Sequence, residues 1–279
     1  MSSKFAWLNS VSNDKPMFFI LGPCAIESEE HVLKIADFLK NLSEKLKFKF
    51  VFKSSFDKAN RTSAAGYRGV GMDAGLEILA KVKQKFEVPV ITDIHESTHI
   101  DKVAAVADIL QIPAFLCRQT DLLVAAGKSG RYIHVKKGQF VTPESMEYVI
   151  KKIESSGNAN IWLCERGYTM GYNNLVVDYR NFPIMKQFDK PIVFDATHAV
   201  QRPSEMGYCT SGDRHFVPNL AAAAIVQGIA GVFMEVHDNP EAAPCDGPNM
   251  IRLSDLERLL KYLIDLDAFA KNNPAPQVK

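Results

Sequence analysis

Residues 191–199 read Pro-Ile-Val-Phe-Asp-Ala-Thr-His-Ala, an almost unbroken apolar, β-rich run that ends in an acid, Asp195, and an imidazole, His198. Continuous rather than alternating apolar character marks a strand covered on the outside by helices, as in a parallel sheet. Seven more runs of this kind lie outward from it, at 17–25, 48–56, 88–95, 108–114, 131–138, 160–167 and 231–240. Helical patterns fill the intervals. Ser28 is a candidate N-cap before Val32, Ile35, Ala36, Leu39 and Leu46. Thr142-Pro143 is expected to open a helix carrying Met146, Val149, Ile150 and Ile153, and Ser254-Asp-Leu-Glu257 has the capping-box pattern ahead of Leu256, Leu259, Leu260 and Leu263. Eight strand–helix units in succession, with no linker or solenoid repeat, predict an α/β fold of the (β/α)8 TIM-barrel class. A larger Rossmann-like sheet is the runner-up.

The 279 residues suit one such barrel, so a single domain over 1–279 is expected, with 1–16 capping its N-terminal face and 272–279 a frayed tail. Lys and Arg number 33 against 32 Asp and Glu, which leaves no global field to attract nucleic acid or an anionic membrane. Five scattered cysteines without a C-x-x-C pair predict reduced thiols, with Cys117, Cys164 and Cys209 read as structural. The N-terminus has no apolar signal region and no run approaches the roughly 20 apolar residues of a membrane span, so a soluble cytoplasmic protein is expected. Gly69, Gly71 and Gly75 do not follow a strand as a Rossmann fingerprint would, and are read as shaping a loop before a helix. Trp7, Trp162, Phe18, Phe19, Phe50 and Phe52 are read as core.

In a barrel of this class the active site lies at the C-terminal strand ends. Reading those ends in order gives Cys24 and Glu27, Lys53 and Lys58, Asp93 and His95, Gln111, Lys136 and Gln139, Glu165 and Arg166, Asp195 and His198, then Glu235, His237 and Asp246. Lys53, Lys58, Lys136 and Arg166 would converge into a cationic pocket suited to phosphate and carboxylate groups. Any one of these lysines alone could simply reach solvent; four together favour function. Cys24, His198, Glu235 and Asp246 offer a thiolate, an imidazole and two carboxylates, a set able to hold a divalent transition metal. A lone buried Cys or His is more often structural, and it is the strand-end placement that raises the metal reading.

Taken together, GPCAIES (22–28), KSSFDKANRTS (53–63), GYRGVGMDAGL (66–76), TDIHE (92–96), LQIPAFLCRQTDLL (110–123), VKKGQF (135–140), ERG (165–167), FDATHAVQ (194–201) and CDGPNM (245–250) resemble the 3-deoxy-D-manno-octulosonate 8-phosphate synthases over nearly the whole chain. The resemblance implies a homotetrameric barrel enzyme that condenses phosphoenolpyruvate with D-arabinose 5-phosphate, releasing phosphate, in lipopolysaccharide synthesis. It implies that Lys53, Lys58, Gln111, Lys136, Gln139 and Arg166 hold phosphoenolpyruvate. It likewise assigns Asn60, Arg61, Thr62 and Asp93 to the aldose, with Arg61 meeting the sugar phosphate across a subunit boundary. Lys136, His198 and Asp246 are the candidates for catalysis, with His198 and Lys136 able to move protons.

The sister family that uses erythrose 4-phosphate shortens the second segment to K-P-R-T-S. Here it is Lys58-Ala-Asn-Arg-Thr-Ser63, and the extra residue with its amide fits the longer aldose. Family members with Cys at the Cys24 position bind a divalent metal, which places this chain with them; Fe, Zn or Mn would suit the ligand set of Cys24, His198, Glu235 and Asp246. The 245–249 segment looks like a form found in the metal-free branch. A zinc-dependent aldolase needs no phosphoenolpyruvate pocket, and an inactive sugar-phosphate sensor would bind without turnover.

Overall fold

The structure, a computed structural model, describes residues 3–61, 63–171, 173–202, 211–276 and 278. All eight expected strands form: β1 (Phe18–Gly22), β2 (Lys49–Lys53), β3 (Val90–Asp93), β4 (Ile109–Ile112), β5 (Tyr132–Lys136), β6 (Ile161–Glu165), β7 (Ile192–Asp195) and β8 (Gly231–His237). They pair in parallel in chain order, and β1 closes on β8 with Phe18 opposite Gly231 and Gly22 opposite Glu235. This is a closed (β/α)8 barrel, and the open Rossmann-like sheet is excluded.

Helices α1 (Glu29–Leu46), α2 (Met72–Phe86), α3 (Ile100–Val106), α4 (Thr120–Lys128), α5 (Met146–Glu154), α6 (Asn181–Lys186), α7 (Val217–Ile225) and α8 (Leu253–Asn272) cover the outside. Outward strand residues such as Phe19, Phe50, Leu110, Val135, Leu163, Phe194 and Met234 share one cluster with their apolar faces. Each buried Val, Leu, Ile or Phe there contributes about 1.5–3 kcal/mol relative to exposure. Ser28 caps α1 as expected, its Oγ accepting from His31 N at 3.1 Å. Gly71, at φ 84°, leads the glycine-rich loop into α2.

Two helix starts differ from expectation. Thr142-Pro143 forms a turn, in which Thr142 Oγ1 meets Ser145 Oγ at 3.0 Å, and α5 begins only at Met146. Ser254 is already inside α8, because Ile251–Arg252 pairs with the end of β8 and the chain passes straight into helix at Leu253. Glu257 then reaches Lys45, 2.6 Å away, instead of closing a capping box. The helix also continues through Asn272, so the tail begins one residue later than expected.

Inside the barrel, Phe18, Ile20, Val51, Ile91, Ile109, Tyr132, Trp162, Cys164, Val193 and Phe233 form a second apolar cluster, joined from below by Phe5 and Leu8. Tyr132 Oη donates to Asn9 Oδ1 at 2.5 Å, tying the N-terminal segment to that face. Among the described residues no helix is long and apolar enough to cross a membrane. Cys24, Cys117, Cys164 and Cys245 are buried free thiols, while Cys209 lies outside the described residues.

Candidate active site

Side chains alternate along a strand, so the residue two places beyond each inner apolar position also points into the barrel. Those positions are Lys53, Asp93, Gln111, His134 followed by Lys136, Arg166, Asp195 and Glu235, every one buried. The barrel therefore changes from hydrocarbon to charge within one pleat. Gly22 allows this layer to close, since a Cβ there would lie 1.9 Å from the Lys53 carbonyl oxygen.

Above this layer opens a cavity of about 590 Å³ whose walls include Lys53, Lys58, Asn60, Arg61, Asp93, Gln111, Lys136, Gln139, Arg166, His198 and Asp246. All the residues grouped at the sequence level as anion- or aldose-binding thus meet in one place, except Thr62, which lies outside the described residues. Cys24 and Glu235 sit beneath its floor, both fully buried.

Lys53 Nζ donates to the Cys24 carbonyl at 3.2 Å, to Ser55 Oγ at 2.8 Å and to Glu235 Oε1 at 3.3 Å. Ser55 in turn donates to Asp93 Oδ2 at 2.6 Å, and Gln111 Nε2 donates to Asp93 Oδ1. Burial resists the charge on Asp93, but Lys53 and Lys58 outweigh it and hold the carboxyl well below the usual range. Burial likewise resists the charge on Lys58, and Cys24, Glu235 and Asp93 outweigh that, pushing its pKa up. Arg166 is different. Its Nη2 donates to Gln201 Oε1 at 2.9 Å, while buried Nε and Nη1 have no partner among the described residues. A buried guanidinium with open donors is a ready receptor for an anion.

Lys136 Nζ donates to Asp195 Oδ2 at 2.5 Å and lies 3.7 Å from the centre of the Phe233 ring. His198 Nδ1 is 2.8 Å from the same carboxylate oxygen, so its Nε2 is turned the other way, 3.8 Å from Glu235 Oε1 and 3.9 Å from Asp246 Oδ2. Cys24 Sγ donates to Asp246 Oδ2 at 3.2 Å. Ligand atoms of Cys24, Glu235 and Asp246 lie within 4.8 Å of one another, and Glu235 Oε2 is buried without a hydrogen bond among the described residues. Asp246 adopts a left-handed backbone (φ 49°), a strained conformation for a non-glycine residue. An orphaned carboxylate oxygen, a thiol and a second carboxylate facing one point fit a divalent cation, with His198 Nε2 at its side.

Residues 9–272 match the DAHP synthetase I family. The chain belongs to that family. Curated relatives named 2-dehydro-3-deoxyphosphooctonate aldolase include one from Dichelobacter nodosus, 52% identical over 94% of this chain and 95% of its own. Others are from a Cyanothece species, 54% identical over 91% of this chain and 93% of its own, and from Agrobacterium fabrum, 52% identical over 94% and 93%.

Three functional-looking residues had no role in the sequence reading. Gln201 bridges the two halves of the site, accepting from Arg166 and donating to Asp246 Oδ1 at 3.2 Å; Ser55 links Lys53 to Asp93; His134 lies under Gln111. For His134 the inward period of β5 was the available signal; for Gln201, on the loop after His198, there was none. Glu165, counted among the strand ends, faces away from the cavity. It accepts from Arg166 N (3.0 Å), Gly167 N (2.6 Å) and Asn181 Nδ2 (2.8 Å), fixing the turn that aims Arg166.

Proposed function

We infer that this pocket condenses phosphoenolpyruvate with D-arabinose 5-phosphate and water, giving 3-deoxy-D-manno-octulosonate 8-phosphate and inorganic phosphate, a step of lipopolysaccharide synthesis. The observation that carries the reading is the convergence of Lys53, Lys58, Lys136 and Arg166 on one cavity whose rim holds Asn60 and Arg61. The relatives' shared name supports the eight-carbon product over the seven-carbon one.

In this proposal the open Nε and Nη1 of Arg166, with Lys53, Lys58, Lys136, Gln111 and Gln139, hold the phosphate and carboxylate of phosphoenolpyruvate. C3 of the enol ester is a weak nucleophile, so the cations must align it with the aldehyde and offset the charge that develops. The aldose enters at Asn60, Arg61 and Thr62, with Asp93 toward its hydroxyls. C3 attacks the aldehyde carbon, water adds at C2, and the hemiketal phosphate loses phosphate by C–O cleavage. His198 has Nδ1 on Asp195 and turns Nε2 toward Glu235 and Asp246, where it would meet the ion, which leaves Lys136 Nζ on the cavity wall as the better-placed group to carry the proton between water and the new alkoxide. Cys24, His198, Glu235 and Asp246 would hold a divalent ion of the Fe, Zn or Mn class. When bound, it supplies positive charge that orients the aldehyde or the water.

A homotetramer and a cytoplasmic location belong to the same proposal. Phe115 on the cavity wall is 54% exposed, which supports coverage by another chain beside Arg61. The test is phosphate release from phosphoenolpyruvate with arabinose 5-phosphate or erythrose 4-phosphate, before and after chelation and metal add-back. Release with arabinose 5-phosphate alone is expected; preference for erythrose 4-phosphate would overturn the assignment.

A further inference from the structure

Outside the pocket, the ends of β1 and β8 bring two histidines and two carboxylates together against α1. Glu27 follows β1, His31 stands in the first turn of α1, His237 ends β8 and Asp238 follows it. His237 Nε2 is 2.8 Å from Glu27 Oε1, which is in turn 3.9 Å from His31 Nδ1. The two ring centroids are 4.5 Å apart, and the ligand atoms of Glu27, His31 and His237 all lie within 4.8 Å of one another.

The hydrogen bonds decide where the lone pair of His31 points. His31 Nε2 donates to Asp238 Oδ1 at 3.0 Å, so in the neutral ring Nδ1 is a lone pair. That Nδ1 is buried, makes no hydrogen bond among the described residues and faces the Glu27 carboxylate. A lone pair opposite an anionic oxygen is repulsive unless a cation, either a ring proton or a metal ion, stands between them. Asp238 Oδ1 is also 3.2 Å from His237 Nδ1, within reach to accept a proton on that nitrogen once a metal ion takes Nε2. In the structure the Asn239 N–H donates to His237 Nδ1 at 2.9 Å as well as to Asp238 Oδ1 at 3.1 Å, so the neutral ring carries its proton on Nε2, donated to Glu27; metal binding moves that proton to Nδ1 and leaves the Asn239 N–H to Asp238 alone. Lys34, 2.6 Å from Asp238 Oδ2, balances the charge of this outer carboxylate.

We propose that Glu27, His31 and His237 bind a second divalent transition-metal ion of the zinc class, with Asp238 holding His31 in the metal-binding tautomer and accepting the His237 proton that the ion displaces from Nε2. Two imidazole nitrogens and one carboxylate oxygen make a three-ligand set with an open position for water. A carboxylate behind a ligating histidine is its common outer partner. Metal–ligand bonds of about 2.0–2.1 Å separate tetrahedral ligand atoms by roughly 3.3 Å. The observed 2.8 and 3.9 Å separations straddle that spacing, and small side-chain shifts close the site. No thiolate takes part, which separates it chemically from the Cys24 group.

The experiment strips the full chain with a chelator and titrates it with Co2+, following bound metal by equilibrium dialysis and coordination by absorbance. Two Co2+ per chain are expected, one of them with the thiolate-to-cobalt band of Cys24. His31→Ala and the near-isosteric Glu27→Gln each lose one equivalent and keep the band, whereas Cys24→Ser loses the band and keeps the other equivalent. Were Cys24 to bind no metal, the wild type would hold one Co2+ without the band, and His31→Ala would still remove it. Equal stoichiometry in wild type, His31→Ala and Glu27→Gln overturns the proposal.

Discussion

The Asp195 carboxylate holds Lys136 Nζ at 2.5 Å and His198 Nδ1 at 2.8 Å through the same oxygen. One buried anion therefore fixes both the position of the ammonium and the face that the imidazole turns toward Glu235 and Asp246. Burial opposes its ionisation, but His198 and Lys136 hold its pKa well below the carboxylate range. Asp195→Asn keeps the shape, removes the charge, and leaves Lys136 buried without its counter-ion. We expect kcat to fall by about 100-fold or more, the usual scale of lost proton transfer, with a smaller change in KM. Steady-state kinetics decide; an unchanged kcat would remove Lys136 and Asp195 from the proton path.

Arg166 offers two donors that have no partner among the described residues, in a fixed planar fork that a lysine cannot copy. Arg166→Lys should lower kcat/KM for phosphoenolpyruvate by about 10- to 100-fold, the loss of one charge-assisted hydrogen bond of roughly 1.5–3 kcal/mol. KM for the aldose should hardly move. An effect confined to the aldose would reassign the two ends of the cavity.

The barrel was readable because parallel strands buried on both faces leave continuous apolar runs, and all eight fell where such runs occur. Helix starts were less so. Ser254 carries a capping sequence, yet the pairing of Ile251–Arg252 with β8 commits the chain to helix before the serine is reached. The cationic residues were visible as strand-end charges, since β2, β5 and β6 end at or beside Lys53, Lys136 and Arg166. Gln201 was not, because its role depends on where a loop returns over Asp246. The Glu27 and His237 pair was counted with the strand ends, but closure of β1 on β8 turns it toward His31 instead of the cavity.

Chelation tests the Cys24 group separately. With Glu235 Oε2 lacking any hydrogen bond, removing a bound ion leaves buried carboxylates facing one another. Activity should fall on chelation and return with Fe2+, Mn2+ or Zn2+. Cys24→Ser, which exchanges a soft ligand for a hard one, should weaken retention of the thiophilic ions most. Metal content after dialysis, measured beside the rate, checks this; full activity in metal-stripped protein would make the ion dispensable.

His134 predicts how the fold responds to acid. It is fully buried beneath the charged layer, its Nδ1 3.1 Å from Gln111 Oε1 and its Nε2 unpartnered, and burial pushes its pKa down to about 3. In the unfolded chain the same ring takes a proton near pH 6.5. Above that pH neither state is charged and His134 costs nothing. Between about 6.5 and 3 the unfolded state binds a proton that the folded state refuses, so stability is lost as pH falls, by about 1.4 kcal/mol per unit. His95, whose pKa is also lowered by burial, adds in the same direction. His134→Asn keeps a donor toward Gln111 and removes the titration. Denaturant unfolding at several pH values between 7.5 and 5 should therefore show the variant losing about 2 kcal/mol less than wild type over that interval. Parallel pH profiles for the two proteins would mean that the folded barrel takes up the proton on His134 Nε2 as readily as the unfolded chain does.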